Sequence, residues 1–113
     1  MTAAVYNLVI DQGSDFAIDL TIKELGSAKD LSGYSARAQM RSTRTASSVA
    51  ATFDCTVLNP ATHGVVKMSL SNSVSSALAA GRYFYDLEIH TANNAVVRRL
   101  IQEEVTLNPE VTR

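Results

Sequence analysis

The feature that most constrains the fold of this chain is a strict alternation of apolar and polar side chains in three separate segments. The apolar positions are Phe16, Ile18, Leu20 and Ile22 in the first, Tyr34, Ala36, Ala38 and Met40 in the second, and Tyr83, Tyr85, Leu87 and Ile89 in the third. Because successive side chains of a strand point to opposite faces, each segment has one apolar and one mixed or polar face. Such strands cover a core on one side and meet water on the other, so the pattern predicts an all-β fold.

Weaker alternation predicts four further strands, over residues 5–10, 52–58, 65–70 and 96–107. In the last of these, Leu100 falls out of phase with Ile101, and we expect a β-bulge or bend near Arg99. The segment Ser42–Ala51 is rich in Ser, Thr and Ala and has little periodicity. We expect it to form a long, mobile connection between strands.

One short helix is predicted near residues 72–80. Val74, Ala77 and Leu78 have helical spacing there, and a Ser or Asn at the start can cap the first turn. Gly81 suits the left-handed conformation that often follows a helix. A helix of about two turns is not stable alone, so we expect Leu78 to pack over an open end of the sheets.

Together, about seven strands and one helix predict an immunoglobulin-like antiparallel β-sandwich, with a small barrel as the alternative. The chain has 113 residues without a shift in composition, and we expect a single β-sandwich domain over residues 1–113. It has no Trp and one Cys, so it lacks the cysteine and tryptophan pattern of antibody domains. A hydrophobic content of 46% with a net charge of −1 argues against intrinsic disorder.

Composition also argues against several classes of function. No run of about 18 apolar residues is present that could cross a membrane. The N-terminal segment reaches Asp11 without a basic region, so we do not expect a signal peptide. Ten basic residues against eleven acidic ones make nucleic-acid binding an unfavoured hypothesis, because non-specific binding needs a basic surface.

The residues that could support catalysis or bind a metal form no recognisable motif. His63 is predicted in a turn and His90 at a strand end, without the neighbours that a catalytic base requires. One cysteine, Cys55, and two distant histidines cannot form a structural zinc site. Calcium needs more oxygen ligands than three spaced aspartates provide, which are Asp11, Asp15 and Asp19. We therefore expect no catalytic residues, no cofactor, no metal and no small-molecule substrate.

What remains is a set of residues suited to contact with another protein. Arg is enriched and Lys depleted at protein interfaces, and this chain has only three lysines. The candidate interface residues are Arg37, Arg41, Arg44, Phe84, Arg98 and Arg99. Carboxylates are about as numerous on the neighbouring strands, which favours charge pairing across strands or with a neighbouring subunit over nucleic-acid contact.

Several motifs resemble those of a known family. They are YNLVIDQGSDF at residues 6–16, DLSGYSARAQMR at residues 30–41, LAAGRYFYDLE at residues 78–88, and VRRL and VTLNPEVT at residues 97–100 and 105–112. Small immunoglobulin-like structural proteins of tailed bacteriophages have similar motifs, as does the N-terminal domain of phage baseplate upper proteins. The resemblance runs from about residue 4 to the C-terminus.

This resemblance implies a non-enzymatic structural component of a tailed phage virion, acting through protein–protein contacts as a tail or baseplate adaptor or attachment unit. A capsid decoration (cement) protein is one alternative. A host-surface glycan-binding module is the other, and Phe84 would then be its outward aromatic residue. The expected partners are other virion structural proteins and further copies of the chain, without membrane contact. The expected location is the virion, assembled in the host cytoplasm.

Overall fold

The structure is a computed structural model that describes residues 4–111, and ten β-strands and one α-helix account for most of them. The strands are β1 (Ala4–Val5), β2 (Leu8–Asp11), β3 (Phe16–Thr21), β4 (Lys23–Glu24), β5 (Ser27–Ala28), β6 (Ser35–Arg41), β7 (Ala51–Val57), β8 (Val65–Leu70), β9 (Gly81–His90) and β10 (Val97–Asn108). The helix α1 is Asn72–Ala77, and two short 3₁₀ turns are Ala61–His63 and Ala92–Asn94. The all-β prediction is confirmed.

Two sheets face each other and share one strand, and β4 and β5 form a separate antiparallel hairpin. The larger sheet has β1 and β2 beside β10, followed by β9, β6 and β7, whereas the smaller sheet has the order β7, β8, β3. The first half of β7 pairs with β6 and the second half with β8. Within residues 4–111, no ladder joins β3 to β1 or β2, so the strand path stays open. The fold is therefore the predicted β-sandwich and not the alternative barrel.

One detail differs from the antiparallel prediction. β2 runs parallel to β10, with Leu8 opposite Val105 and Ile10 opposite Leu107, and β1 is also parallel to β10. The larger sheet is consequently mixed. Alternation of side chains reports which face of a strand is buried, but it does not report the direction of the neighbouring strand.

The apolar faces of both sheets form one core. Among the positions predicted to point inward in the three strongest segments, the buried ones are Leu20, Ile22, Ala38, Met40, Tyr83, Tyr85, Leu87 and Ile89. Phe53 lies between Phe16 and Tyr85, with ring centroids 6.2 Å apart and edge-to-face geometry in both pairs. Such pairs favour a defined arrangement of the rings as well as burying large apolar areas.

The predicted bulge in β10 is confirmed. The register against β9 slips between Arg99, which lies opposite Glu88, and Ile101, which lies opposite Leu87. Leu100 is the extra residue, and both Leu100 and Ile101 are buried. The bulge thus resolves the phase conflict in the sequence by letting two consecutive apolar side chains enter the core.

The helix is shorter than predicted. It ends after Ala77, and Leu78 already has an extended backbone and packs against the core as expected. Gly81 therefore does not follow the helix but begins β9, so its predicted role as the residue after the helix is wrong. The physical reason is that Leu78, which is partly buried, packs against the core in an extended conformation, and this apolar contact outweighs the small gain from one more helical residue.

Contacts from a distant loop hold the helix, and these were not predicted. Ser75 is completely buried, and its Oγ accepts a hydrogen bond from the Gly13 N–H and donates one to the Ser14 carbonyl. The residue before the helix makes no side-chain capping bond. Instead, Asp15 Oδ1 accepts from the Asn72 N–H at 2.8 Å. The predicted local cap is therefore replaced by a carboxylate next to a helix N-terminus, where a negative charge is favourable.

Candidate interaction surface

Strands β6, β9 and β10 present a charged face to solvent. The side chains of this face point away from the core. We use the name charged face for Arg37, Gln39 and Arg41 of β6, Arg82, Phe84, Asp86 and Glu88 of β9, and Arg99, Gln102 and Glu104 of β10. The inward residues of β9 are buried, so strand alternation fixes the outward direction of the residues between them. Packing of the inward side chains in the core therefore fixes the position of the strands that carry this face.

Ion pairs run across the strands of the charged face. Arg37 lies opposite Glu88 and its Nε donates to Glu88 Oε1 at 2.9 Å. Arg99 Nε lies 3.2 Å from Asp86 Oδ2. These side chains are 26–53% exposed, and exposed ion pairs each contribute only about 0–1 kcal/mol to stability. The pairs thus set the orientation of the arginines more than they stabilise the fold.

Arg44 joins the connection between β6 and β7 to the charged face. Its guanidinium carbon lies 4.9 Å from the centre of the Phe84 ring, and its Nη2 donates to Glu103 Oε1 at 2.5 Å. The same connection accepts a hydrogen bond from Arg41 Nη1 at the Ala46 carbonyl, 3.0 Å away. Arg41 and Arg44 thus attach the connection between β6 and β7 to the charged face, although the sequence predicted this segment to be mobile. Phe84 faces outward as predicted, but the guanidinium covers part of its ring.

A shallow groove of about 200 Å³ lies in the charged face. Its lining includes three arginines (Arg41, Arg44 and Arg99) and one carboxylate, that of Asp86. Burial raises the pKa of Asp86, the charge of Glu88 adds to this effect, and the positive charges of Arg99 and Arg41 oppose it. The groove lining therefore has more positive than negative side chains.

Arg41 differs from the other arginines of this groove in its partners. Its Nη1 and Nη2 donate to the Ala46 carbonyl and to Gln39 Oε1, which are both neutral. Among the described residues, no carboxylate lies within ion-pair distance of its guanidinium. A guanidinium that neutral groups hold in place keeps its charge available for an acidic group.

The structure brings five of the six predicted contact residues together on or beside this face: Arg37, Arg41, Arg44, Phe84 and Arg99. Arg98 is not among them, because it lies opposite the buried Ile89 and so belongs to the other side of β10. The hydrogen bond from Lys29 lowers the pKa of Glu24, and the charge of Arg98 contributes to this shift. Sequence reasoning missed Gln39 and Arg82, although their parity with Arg37 and Phe84 was a usable signal.

The other residues that were considered for catalysis or metal binding do not form a cluster in the described structure. The imidazole of His63, in an exposed 3₁₀ turn, makes no hydrogen bond within the described residues, and His90 Nδ1 lies 3.3 Å from the Thr91 carbonyl. Burial, assisted by the charge of Asp54, raises the pKa of the Cys55 thiol to about 11. Within residues 4–111, no group of three or more His, Cys, Asp or Glu side chains could hold a metal ion. No helix in the same range is long and apolar enough to cross a membrane.

A known structure shares this fold. The chain is similar to the N-terminal domain of phage TP901-1 ORF48, with 14% sequence identity, a TM-score of 0.62, and coverage of 96% of this chain and 99% of that one. A structure from work on cell-adhesive interactions of VGSC beta subunits aligns with 12% identity and a TM-score of only 0.39, over 96% and 93% of the two chains. No protein-family model matches the sequence. No curated protein matches it either.

Proposed function

We propose that this chain is a non-enzymatic structural component of a tailed-phage virion and acts through protein–protein contacts as a tail or baseplate adaptor or attachment unit. The observation that carries the proposal is the likeness of fold to the N-terminal domain of phage TP901-1 ORF48, which extends over nearly the full length of both chains. The sequence motifs in residues 6–16, 30–41 and 78–88 support the same class of protein.

The charged face is the contact surface in this proposal. Its ion pairs are solvent-exposed, so breaking one costs the fold about 1 kcal/mol or less. A partner that offers its own carboxylates can therefore exchange with Glu88 or Asp86 without destabilising the sandwich. Charge complementarity of this kind fixes orientation and increases the rate of association more than it increases affinity. An adaptor that must dock in one register benefits from such a surface.

The side chains that line the groove favour one type of partner residue. Arg41 and Arg99 line it, and a planar guanidinium can bind a carboxylate through two parallel hydrogen bonds. An acidic side chain of a partner therefore suits the groove better than a basic or apolar one. In the particle, the partners would be other virion proteins and further copies of this chain, which symmetric assembly arranges in closed rings or trimers. Assembly would take place in the host cytoplasm.

Mass spectrometry of purified phage particles, with heads and tails separated, tests the proposal. We expect the chain at many copies in the tail fraction. Recovery with the heads would instead support the capsid decoration alternative. Absence from both fractions would reject the virion proposal and favour the glycan-binding alternative, for which a glycan array with a Phe84→Ala control is the next test.

Charge reversal tests whether the charged face makes the contact. We expect the double variant Arg41→Glu/Arg44→Glu to reduce the number of copies per particle at least tenfold while the purified variant still unfolds cooperatively. Lys67→Glu is the matched control, because Lys67 is an exposed basic residue on β8 of the smaller sheet. Equal incorporation of the double variant and the control would show that another surface makes the contact.

A further inference from the structure

The strand path of the sandwich is open, and its end strands have an unpaired outer edge. At one end β1 and β2 lie one after the other beside β10, and at the other end β3 lies beside β8. Within residues 4–111, no further strand pairs with the outer edge of β2 or of β3. Such an edge presents backbone N–H and C=O groups with which another strand can pair.

On the β2 edge, alternate backbone groups point away from the sheet. The N–H groups of Tyr6 and Gln12 both donate to carbonyl groups of β10, so the even-numbered residues of this stretch face β10. Because backbone groups alternate in direction along a strand, the N–H groups of Asn7, Val9 and Asp11 point outward. The side chains of these three residues are exposed on the solvent face. The stretch 6–12 therefore offers an open edge of strand length.

The two edge strands differ in the side chain near their centre. The β2 edge carries Val9, an apolar side chain that is 63% exposed. β3 carries Asp19, an exposed carboxylate. A charged residue in the middle of an edge strand opposes pairing with another strand, and two β3 strands paired about Asp19 would place two carboxylates opposite each other. β3 thus has a barrier to edge pairing that β2 lacks.

We propose that β2 is a self-pairing edge, at which two copies of this chain join their β2 strands antiparallel about a twofold axis at Val9. The larger sheets of the two copies then form one continuous sheet. The two Val9 side chains lie opposite each other in this register, and Asn7 of each copy lies opposite Asp11 of the other. This inference goes beyond the proposed function, because it assigns a contact between copies to an edge outside the charged face.

The side chains that flank Val9 match each other as hydrogen-bond donor and acceptor. Asn7 Oδ1 accepts from the Glu104 N–H at 3.3 Å, so the amide group that remains for a second copy is the Nδ2 donor. Asp11 Oδ1 accepts from Asn108 Nδ2 at 3.2 Å, and the second carboxylate oxygen can act only as an acceptor. The twofold register brings each Asn7 donor to an Asp11 acceptor, and it places no like charges opposite each other.

This pattern identifies a second copy of the chain as the occupant of the edge. The order of amide, apolar and carboxylate side chains is complementary to itself when the strand is reversed, so each copy already carries the matching strand. The axis buries two valines that are exposed in the single chain, and apolar burial is favourable. The ladder is short and buries less surface than a permanent dimer needs, so we expect a reversible dimer that dissociates on dilution.

Sedimentation velocity of the purified full chain over a range of concentrations tests the pairing. We expect a monomer–dimer equilibrium for the wild type. Val9→Lys and Val9→Glu should each raise the dissociation constant about tenfold or more, because each places two like charges at the axis. An equimolar mixture of the two variants should restore association, since Lys then lies opposite Glu. Damage to the fold alone would not give this restoration.

Thr21→Lys is the matched control, because Thr21 is an exposed residue on β3, the other edge strand. It should associate like the wild type. A wild-type chain that stays monomeric at its highest soluble concentration would overturn the self-pairing, as would a mixture that associates no better than either variant alone. The measurement needs no phage particles, so failure of the self-pairing is distinguishable from failure of the proposed virion function.

Discussion

On and beside the charged face of the larger sheet, exposed side chains have partners within the chain, whereas Leu25, at the tip of the β4–β5 hairpin, packs against nothing within residues 4–111. Arg37, Arg44 and Arg99 each pair with a carboxylate, and the core holds the strands beneath them. Leu25 is apolar, fully exposed and has positive φ. The exposed arginines of this region are therefore paired within the chain, whereas burial contributes nothing that would hold Leu25 in its disfavoured backbone conformation.

The largest expected effect on stability comes from truncating one core side chain beneath the charged face. Tyr85 is buried, packs edge-to-face against Phe53, and its hydroxyl donates to the Tyr6 carbonyl. We expect Tyr85→Ala to lower the free energy of unfolding by about 3–5 kcal/mol, because it leaves a cavity of aromatic size. Urea denaturation measures this change.

Tyr85→Phe is the matched control for that substitution. It keeps the ring and removes only the hydrogen bond to the Tyr6 carbonyl, so we expect a loss of about 1 kcal/mol. Similar losses for the two variants would show that the ring packing does not support the charged face. Leu25 should stay equally exposed in both, which limited proteolysis at the hairpin can check.

The next largest expected effect on stability concerns the close packing of Gly64 beneath the β4–β5 hairpin. A Cβ on Gly64, which has φ +70°, would lie 2.6 Å from the Lys29 carbonyl oxygen. Gly26, with φ +82°, has open space at the same point. We expect Gly64→Ala to cost about 2–4 kcal/mol from backbone conformation plus the clash, and Gly26→Ala about 1–2 kcal/mol from backbone conformation alone. Thermal and urea unfolding of both variants measure the difference, and equal losses would contradict close packing beneath the hairpin.

A smaller effect is expected within the charged face. We predict a coupling energy below about 1 kcal/mol for Arg37 and Glu88 in a double-mutant cycle of alanine substitutions, because their ion pair is exposed to solvent. The coupling should decrease further in 0.5 M salt, an ionic strength at which screening is strong. A coupling well above this value would mean that the pairs are structural and not available for exchange with a partner.

The smallest predicted effect is a dependence of stability on pH that the ionisation of Asp86 causes. Burial raises the pKa of this carboxyl group above its ordinary value. Its contribution to stability is therefore complete below the unfolded pKa and is lost as the pH rises through the folded pKa. Relative to the wild type, Asp86→Asn should gain stability as the pH rises through that range. NMR titration should also show a further rise of the Asp86 pKa in Arg99→Ala, whereas Lys67→Ala should leave it unchanged.

Much of the fold could be predicted from local patterns in the sequence. The three alternating segments identified the buried faces of β3, β6 and β9, and the phase change at Leu100 located the bulge in β10. Both are properties of neighbouring residues on one strand. The outward arginines of β6 followed from the same alternation, which is why most of the candidate interface came together.

The predictions failed where distant residues compete with local ones. Asp15 replaced the expected local cap of the helix, and burial of Leu78 ended the helix before Gly81. Arg98 and Arg99 were grouped as neighbours in sequence, but consecutive residues of a strand point to opposite faces. No sequence pattern predicted that Leu25 has positive φ and is exposed, because both depend on the turn conformation and on what packs around it within residues 4–111.

The sequence by itself determined which residues face the core, because the period of two along each strand is local and strong. It also determined that two outward side chains of β6, those of Arg37 and Arg41, would be basic. Only the tertiary structure decided that β2 lies parallel to β10, that a carboxylate from a loop caps the helix, and that Arg37 and Arg99 meet acidic partners across strands. These features join residues far apart in the chain, and the free energy that selects them comes from packing that no short segment contains.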